Sequence, residues 1–156
     1  MNIRHRKQSQ RGIATIEFAV CAAFFFFMLV AVVAFGHFFW THNALVEATR
    51  RGARYAADQC PDTAAFTSCA DRATTITRVK NVVLYDSSTA GTSPFVPDLT
   101  DTMVTVTYSG NYGIATGQVS VKIENYQYSI LGLSITMPTY QTTVQGEAAG
   151  FVPANL

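Results

Sequence analysis

The hydrophobic pattern begins with an apolar segment that runs almost unbroken from Ile13 to Phe35. Apart from small residues, only Thr15, Glu17 and Cys21 interrupt it. As an α-helix these residues reach roughly 35 Å, enough to cross a bilayer of about 30 Å. The segment is too long for the hydrophobic region of a secretory signal, typically ~7–15 residues. We therefore predict a retained transmembrane helix over about residues 13–36.

The helical pattern continues beyond the apolar segment, so that one helix is predicted over residues 13–58. Its outer half has one apolar stripe, made of Leu45, Ala48, Gly52, Tyr55 and Ala56. Within the stripe, Ala48, Gly52 and Ala56 repeat every four residues, a spacing that lets a neighbouring helix approach closely. Pro61 follows and ends the element. Such a long helix has no core of its own, so this stripe must pack on another part of the protein.

The last part of the chain, residues 59–156, combines a helix with strands. A helical pattern extends from Asp62 or Thr63 to about Tyr85, although residues 79–85 also fit a strand. Residues 86–101 are rich in Ser, Thr, Gly and Pro and predict an exposed loop. Alternating polar and apolar residues then predict strands at 102–108, 119–128 and, more weakly, 140–147. The predicted fold class is α+β: a long transmembrane helix continuing into a small domain with a second helix and a three-stranded antiparallel sheet.

Basic residues are concentrated before the apolar segment. Residues 1–12 carry four basic side chains and no acid, and without them the chain has seven basic against ten acidic residues, a formal charge of −3. This distribution favours a cytoplasmic leader at residues 1–12 and a domain, residues 59–156, on the outer side. The mild acidity gives no support for a nucleic-acid partner.

A second basic cluster, Arg50, Arg51 and Arg54, follows the apolar segment. The simplest interpretation is a solvated or headgroup-facing surface. Glu47 precedes Arg51 by four residues, the favourable order for an ion pair along a helix.

The cysteines and histidines suggest structural roles. Cys60 and Cys69 are the only pair outside the apolar segment, and in an extracytoplasmic domain they predict a disulfide; the alternative is two reduced thiols. A disulfide that closes so short a loop would add about 2–3 kcal/mol to the free energy of unfolding. His37 and His42 flank three aromatic residues and are interpreted as part of an aromatic belt at the membrane surface. Their spacing does not suit a metal site.

Glu17 is the residue that most needs an explanation, because a carboxylate at the bilayer centre costs on the order of 2.5 kcal/mol or more, and less near the edge. One interpretation is that Glu17 lies at the cytoplasmic interface and is tolerated there. The other starts from the order of basic leader, Gly12, Glu17 and apolar run, which resembles a type IV prepilin-class leader and so implies that a membrane peptidase cuts between Gly12 and Ile13. The new α-amine of Ile13 would then lie one helical turn from Glu17, where the two charges attract, within one subunit or between neighbours. Gly12 has no side chain to keep a protease from the backbone.

Three blocks of sequence together resemble the TadE-like family of the tight-adherence (Tad) pilus system. They are Arg11-Gly12 followed by Ile16-Glu17-Phe18-Ala19-Val20, then Phe35-Gly36, and then Ala48-Thr49-Arg50-Arg51-Gly52-Ala53-Arg54-Tyr55-Ala56.

The resemblance implies a minor pilin or pseudopilin that a prepilin peptidase cleaves after Gly12. It further implies a place in the bacterial inner membrane, with the N-terminus in the cytoplasm and residues 59–156 in the periplasm. The partners would be membrane lipid, other Tad pilins or pseudopilins and the inner-membrane assembly platform, in pilus biogenesis and adhesion. Such a protein is a structural subunit that is not an enzyme and needs no cofactor.

The competing hypothesis is a single-pass membrane-anchored extracytoplasmic ligand-binding module that keeps residues 1–12 and stays monomeric. An anchored enzyme is a more distant alternative. The sequence contains no Ser/His/Asp set, no paired carboxylates, no phosphate loop and no nucleotide fingerprint.

Overall fold

The computed structural model describes residues 6–59, 72–109, 118–130 and 132–145. The chain divides into two compact units, unit 1 (residues 1–40) and unit 2 (residues 41–156). Helix α1 (Arg6–Asp58) begins in unit 1 and ends in unit 2. The other described elements belong to unit 2: α2 (Arg72–Tyr85), a short 3-10 helix (Asp101–Met103), β1 (Val104–Ser109), β2 (Gln118–Ile123), β3 (Gln127–Ile130), β4 (Leu133–Thr136) and β5 (Tyr140–Gln145).

In unit 1, α1 exposes its large apolar side chains. Phe18 is 75% exposed and Phe27 is 70% exposed, and no residue in the most apolar stretch of the helix is buried. The core helix of a soluble protein would instead bury one apolar face. By length and composition α1 can cross a membrane, which makes it a candidate anchor. The helix begins at Arg6, so the backbone of residues 6–12 continues the same helix.

The sheet of unit 2 is antiparallel and has the order β1-β2-β5. At one end the register aligns Val104, Ile123 and Tyr140, and at the other it aligns Ser109, Gln118 and Gln145. The central strand β2 alternates strictly, with every second side chain fully buried. The predicted α+β class, with a second helix and a three-stranded antiparallel sheet, is confirmed.

The core of unit 2 lies between the sheet and the two helices. Its fully buried members include Leu45 of α1, Val79 and Val83 of α2, and Val121 of β2. Residues 79–85 are helical, so their alternative interpretation as a strand was wrong. Their buried valines recur at three- and four-residue spacing, which suits one face of a helix.

The loop between α2 and β1 differs from its prediction, because two of its apolar side chains enter the core. Val96 is fully buried and Leu99 is 3% exposed, although the surrounding polar residues are exposed as expected. The loop is fixed by a hydrogen bond of 2.7 Å from the Phe95 amide to the Leu84 carbonyl. Composition predicted a loop correctly but did not show that it covers the core.

The strand predicted over 119–128 is divided in two. β2 ends at Ile123, and Asn125 then takes a φ of 58°, a left-handed conformation that asparagine tolerates better than most residues. β3 pairs with β4 in a separate two-stranded hairpin. Gly132 has a φ of +80° in its turn, where glycine is favoured. This β3–β4 hairpin was missed because the alternation of residues continues through Asn125.

Candidate membrane anchor and assembly site

The predicted cleavage and pairing residues lie together on an open stretch of α1. Gly12, Ile13 and Glu17 are all helical and exposed, and a Cβ placed on Gly12 would meet nothing within 4 Å. Ile13 and Glu17 are separated by about one helical turn, a rise of roughly 6 Å. In the intact chain the Ile13 nitrogen belongs to a peptide bond, so a charged partner for Glu17 at that atom arises only after cleavage.

Aromatic side chains are clustered at the other end of the apolar segment. The Phe35 and Phe39 rings meet edge to face with centroids 4.9 Å apart, and the His37 ring lies 5.8 Å from that of Trp40. Trp40 is 48% exposed. Tryptophan, which is amphipathic, is enriched at membrane–water interfaces.

His42, which was predicted to be in the same belt, makes a contact with the sheet of unit 2. It lies half-buried in unit 2, where Nδ1 is 2.7 Å from the hydroxyl of Tyr140 on β5. Two turns further along α1, the hydroxyl of Thr49 lies 3.0 Å from that of Thr142. These two contacts join α1 to β5. The sequence contains no signal for this pairing, because nothing local fixes which strand lies beside α1.

The small-residue row of α1 is buried within the chain. Ala48, Gly52 and Ala56 are buried. A Cβ on Gly52 would overlap Cγ2 of Val83 on α2 and lie 3.4 Å from Cγ1 of Val121 on β2. At Gly52, the neighbours are therefore α2 and the sheet of the same chain.

The arginine cluster divides into two kinds of residue. Arg50 and Arg54 are exposed, as expected for a solvated surface. Arg51 is half-buried: its Nε lies 3.3 Å from a carboxylate oxygen of Asp86, and its guanidinium is 5.0 Å from the centroid of the Phe95 ring. Arg51 thus pairs with Asp86 and not with Glu47. It therefore connects α1 to the end of α2 and to the loop that follows. Spacing along α1 does not predict this pairing, because Asp86 lies outside that helix.

Tyr126 connects the base of the β3–β4 hairpin to the loop between α2 and β1. Its side chain is buried, and its hydroxyl donates a hydrogen bond of 2.9 Å to the Pro97 carbonyl. Burial raises the pKa of Tyr126 above its usual value, and Asp98 adds to the rise. Since the folded state favours the neutral phenol, this stabilisation is complete below the unfolded pKa of about 10 and is lost as the pH rises through the folded pKa.

We expect wild-type unit 2 to lose stability steeply above about pH 10, and Tyr126→Phe to lose less. At neutral pH the substitution should cost about 1 kcal/mol, because the hydrogen bond to Pro97 is lost. Urea unfolding of the detergent-solubilised chain at neutral and alkaline pH measures both effects. Tyr85→Phe on α2 is the control. An alkaline loss as steep in Tyr126→Phe as in wild type would contradict the assignment.

The predicted disulfide lies outside the described residues, because Cys60 and Cys69 both fall between 59 and 72. It stays a prediction. Cys21 is a free, exposed thiol on α1.

In the part of the chain that the structure describes, these features define a protein with one candidate membrane helix and a folded α+β unit. The family model described as TadE-like protein matches residues 12–54, from the predicted cleavage site through Glu17 to the Arg-Gly-Ala-Arg block. The match confirms the resemblance seen in the sequence, and a TadE-like segment implies a protein associated with the Tad pilus. The match ends before α2 and the sheet. No curated protein and no solved structure gives a significant match to the chain.

Proposed function

We propose that this chain is a minor pilin or pseudopilin of a Tad pilus assembly or secretion system, processed by a prepilin peptidase between Gly12 and Ile13. The observation that carries the proposal is the match of residues 12–54 to the TadE-like family. The exposed apolar surface of α1 supports it, because that surface needs lipid or other helices to cover it.

In this proposal α1 anchors the chain in the inner membrane with unit 2 in the periplasm. Before cleavage, Glu17 is a carboxylate in or near lipid with no cationic partner at Ile13. Cleavage creates an amine one turn away, on the same subunit or on a neighbour. Pairing these charges lowers the cost of the carboxylate and favours one register between adjacent helices. The protein carries out no reaction itself; it contributes a helix to an assembly in which it packs beside other Tad pilins on the assembly platform.

Unit 2 would then be the part that meets periplasmic partners and contributes to adhesion. The contacts His42–Tyr140 and Thr49–Thr142 hold the sheet on the outer segment of α1. Force applied to that segment during assembly would reach the sheet through these contacts and the buried core around Gly52.

The proposal predicts that the mature protein begins at Ile13. Mass spectrometry of the chain purified from a host with its prepilin peptidase measures the N-terminus directly. Gly12→Val should block cleavage, since its branched side chain would obstruct access to the peptide bond.

Gly36→Val is the matched control, because Gly36 lies in the same exposed helix and a Cβ added there would meet nothing within 4 Å. It should be cleaved normally. A wild-type chain that still begins at Met1 in that host would refute processing and support the membrane-anchored ligand-binding module instead.

A further inference from the structure

The β3–β4 hairpin presents an apolar surface that the core does not cover. Its register places Tyr128 opposite Ile135 and Ile130 opposite Leu133, so these four side chains share one face. Tyr128, near the base, is buried, but Leu133 is 67% exposed and Ile135 is 49% exposed. Exposed apolar side chains that share one face are what a membrane-binding or protein-binding surface presents.

The hairpin leaves the sheet at the end of unit 2 where the chain enters from the candidate membrane segment. It connects Ile123 of β2 to Tyr140 of β5, and these two residues are partners in the sheet. Tyr140 in turn contacts His42, the second residue of unit 2. The base of the hairpin is therefore beside the first residues of unit 2, which follow the candidate membrane segment along the chain.

The composition of this region favours lipid over a protein partner. The sequence has no charged residue between Glu124 and Glu147, and charged side chains are what a membrane excludes most strongly. The second face of the hairpin carries uncharged polar groups, among them Ser134, whose hydroxyl donates to the Gln127 amide oxygen at 3.3 Å. Because α1 tethers the unit to a bilayer, that bilayer is also present at high effective concentration.

We propose that the β3–β4 hairpin is a second membrane contact, in which Leu133 and Ile135 insert into the headgroup region of the bilayer that α1 crosses. This inference rests on the membrane anchoring proposed above. It makes unit 2 a domain held at the lipid surface by two elements, which restricts the orientations that it can present to a partner subunit.

The test uses single-tryptophan variants of the full-length chain, which has one tryptophan, Trp40. Wild type is compared with Leu133→Trp and with Gln118→Trp, each in a Trp40→Phe background. Gln118 is exposed at the opposite end of the sheet, five residues along β2 from Ile123, or roughly 17 Å. The proteins are placed in phosphatidylcholine vesicles with and without lipid brominated near the top of the acyl chains, which quenches nearby tryptophan.

We expect brominated lipid to quench Leu133→Trp to a degree comparable with wild-type Trp40, and to leave Gln118→Trp unchanged. Ile135→Trp repeats the test at a second position, in case one substitution disturbs the hairpin. Quenching of Trp40 without quenching at 133 or 135 would overturn the hairpin contact while anchoring stands. If the tryptophans at 133 and 135 are shielded from aqueous iodide but insensitive to brominated lipid, a protein covers the hairpin and the inference fails. Absence of quenching at Trp40 as well would contradict the membrane anchor itself.

Discussion

Replacing Gly52 by valine should lower the free energy of unfolding of unit 2 by about 1–3 kcal/mol, the usual cost of forcing extra methyl groups into a packed core. The first added carbon already overlaps Cγ2 of Val83, and Val121 Cγ1 lies only 3.4 Å away. Both valines are fully buried, and a β-branched side chain has little rotamer freedom with which to move aside. The overlap can therefore be relieved only by shifting the surrounding core residues, which costs free energy.

The effect can be measured by chemical denaturation of the detergent-solubilised chain, followed by near-ultraviolet circular dichroism of tyrosine. All seven tyrosines belong to unit 2, so the signal reports that unit. Gly36→Val changes the same helix where nothing lies within 4 Å, and it should leave the transition unchanged.

A rescue experiment identifies the cause of the loss. Val83→Ala makes room beside Gly52, so Gly52→Ala should cost less in the Val83→Ala background than in wild type, although Val83→Ala is itself destabilising. If the losses of stability from Gly52→Ala and Val83→Ala simply add in the double variant, the Gly52–Val83 contact is not the cause of the destabilisation.

The helical part of the fold could be predicted because its signals are local. A lipid-length apolar segment, the four-residue repeat of Ala48, Gly52 and Ala56, and the absence of proline before Pro61 all lie within one continuous stretch. The same stretch carried the family resemblance, which the match over residues 12–54 confirmed. The three strands of the sheet were found for the same reason, since alternation needs only a few neighbouring residues.

What the sequence did not predict depends on contacts between distant residues. Whether the alternating region around Asn125 forms one strand or two is decided by a left-handed backbone conformation at that residue, which alternation does not encode. Arg51 pairs with Asp86 because α2 ends beside α1, and His42 meets Tyr140 because β5 lies along α1. These pairings follow from the packing of unit 2, and periodicity within a single element contains no information about them.

Replacing Glu17 by glutamine should leave membrane insertion intact and reduce assembled pili to near background. Insertion should not suffer, because in the proposed transmembrane arrangement of α1 the loss of the Glu17 carboxylate removes a cost on the order of 2.5 kcal/mol or less. Assembly should suffer because glutamine keeps the shape and polarity of the side chain but cannot neutralise the α-amine that the proposed cleavage would create on Ile13. Glu17→Asp keeps the charge on a shorter side chain and should restore part of the assembly.

The matched control is Glu47→Gln, which removes the other exposed glutamate of α1, in unit 2. It should assemble normally. Immunoblots of the membrane fraction and of sheared pili separate insertion from assembly, and mass spectrometry verifies that each variant begins at Ile13. This last check is decisive, because a Glu17 variant that is not cleaved would fail to assemble for a different reason. Its defect would come from the missing processing step and would say nothing about the charge pair. A Glu17→Gln protein that is cleaved at Gly12 and yields wild-type pili would show that the carboxylate is merely tolerated near the interface.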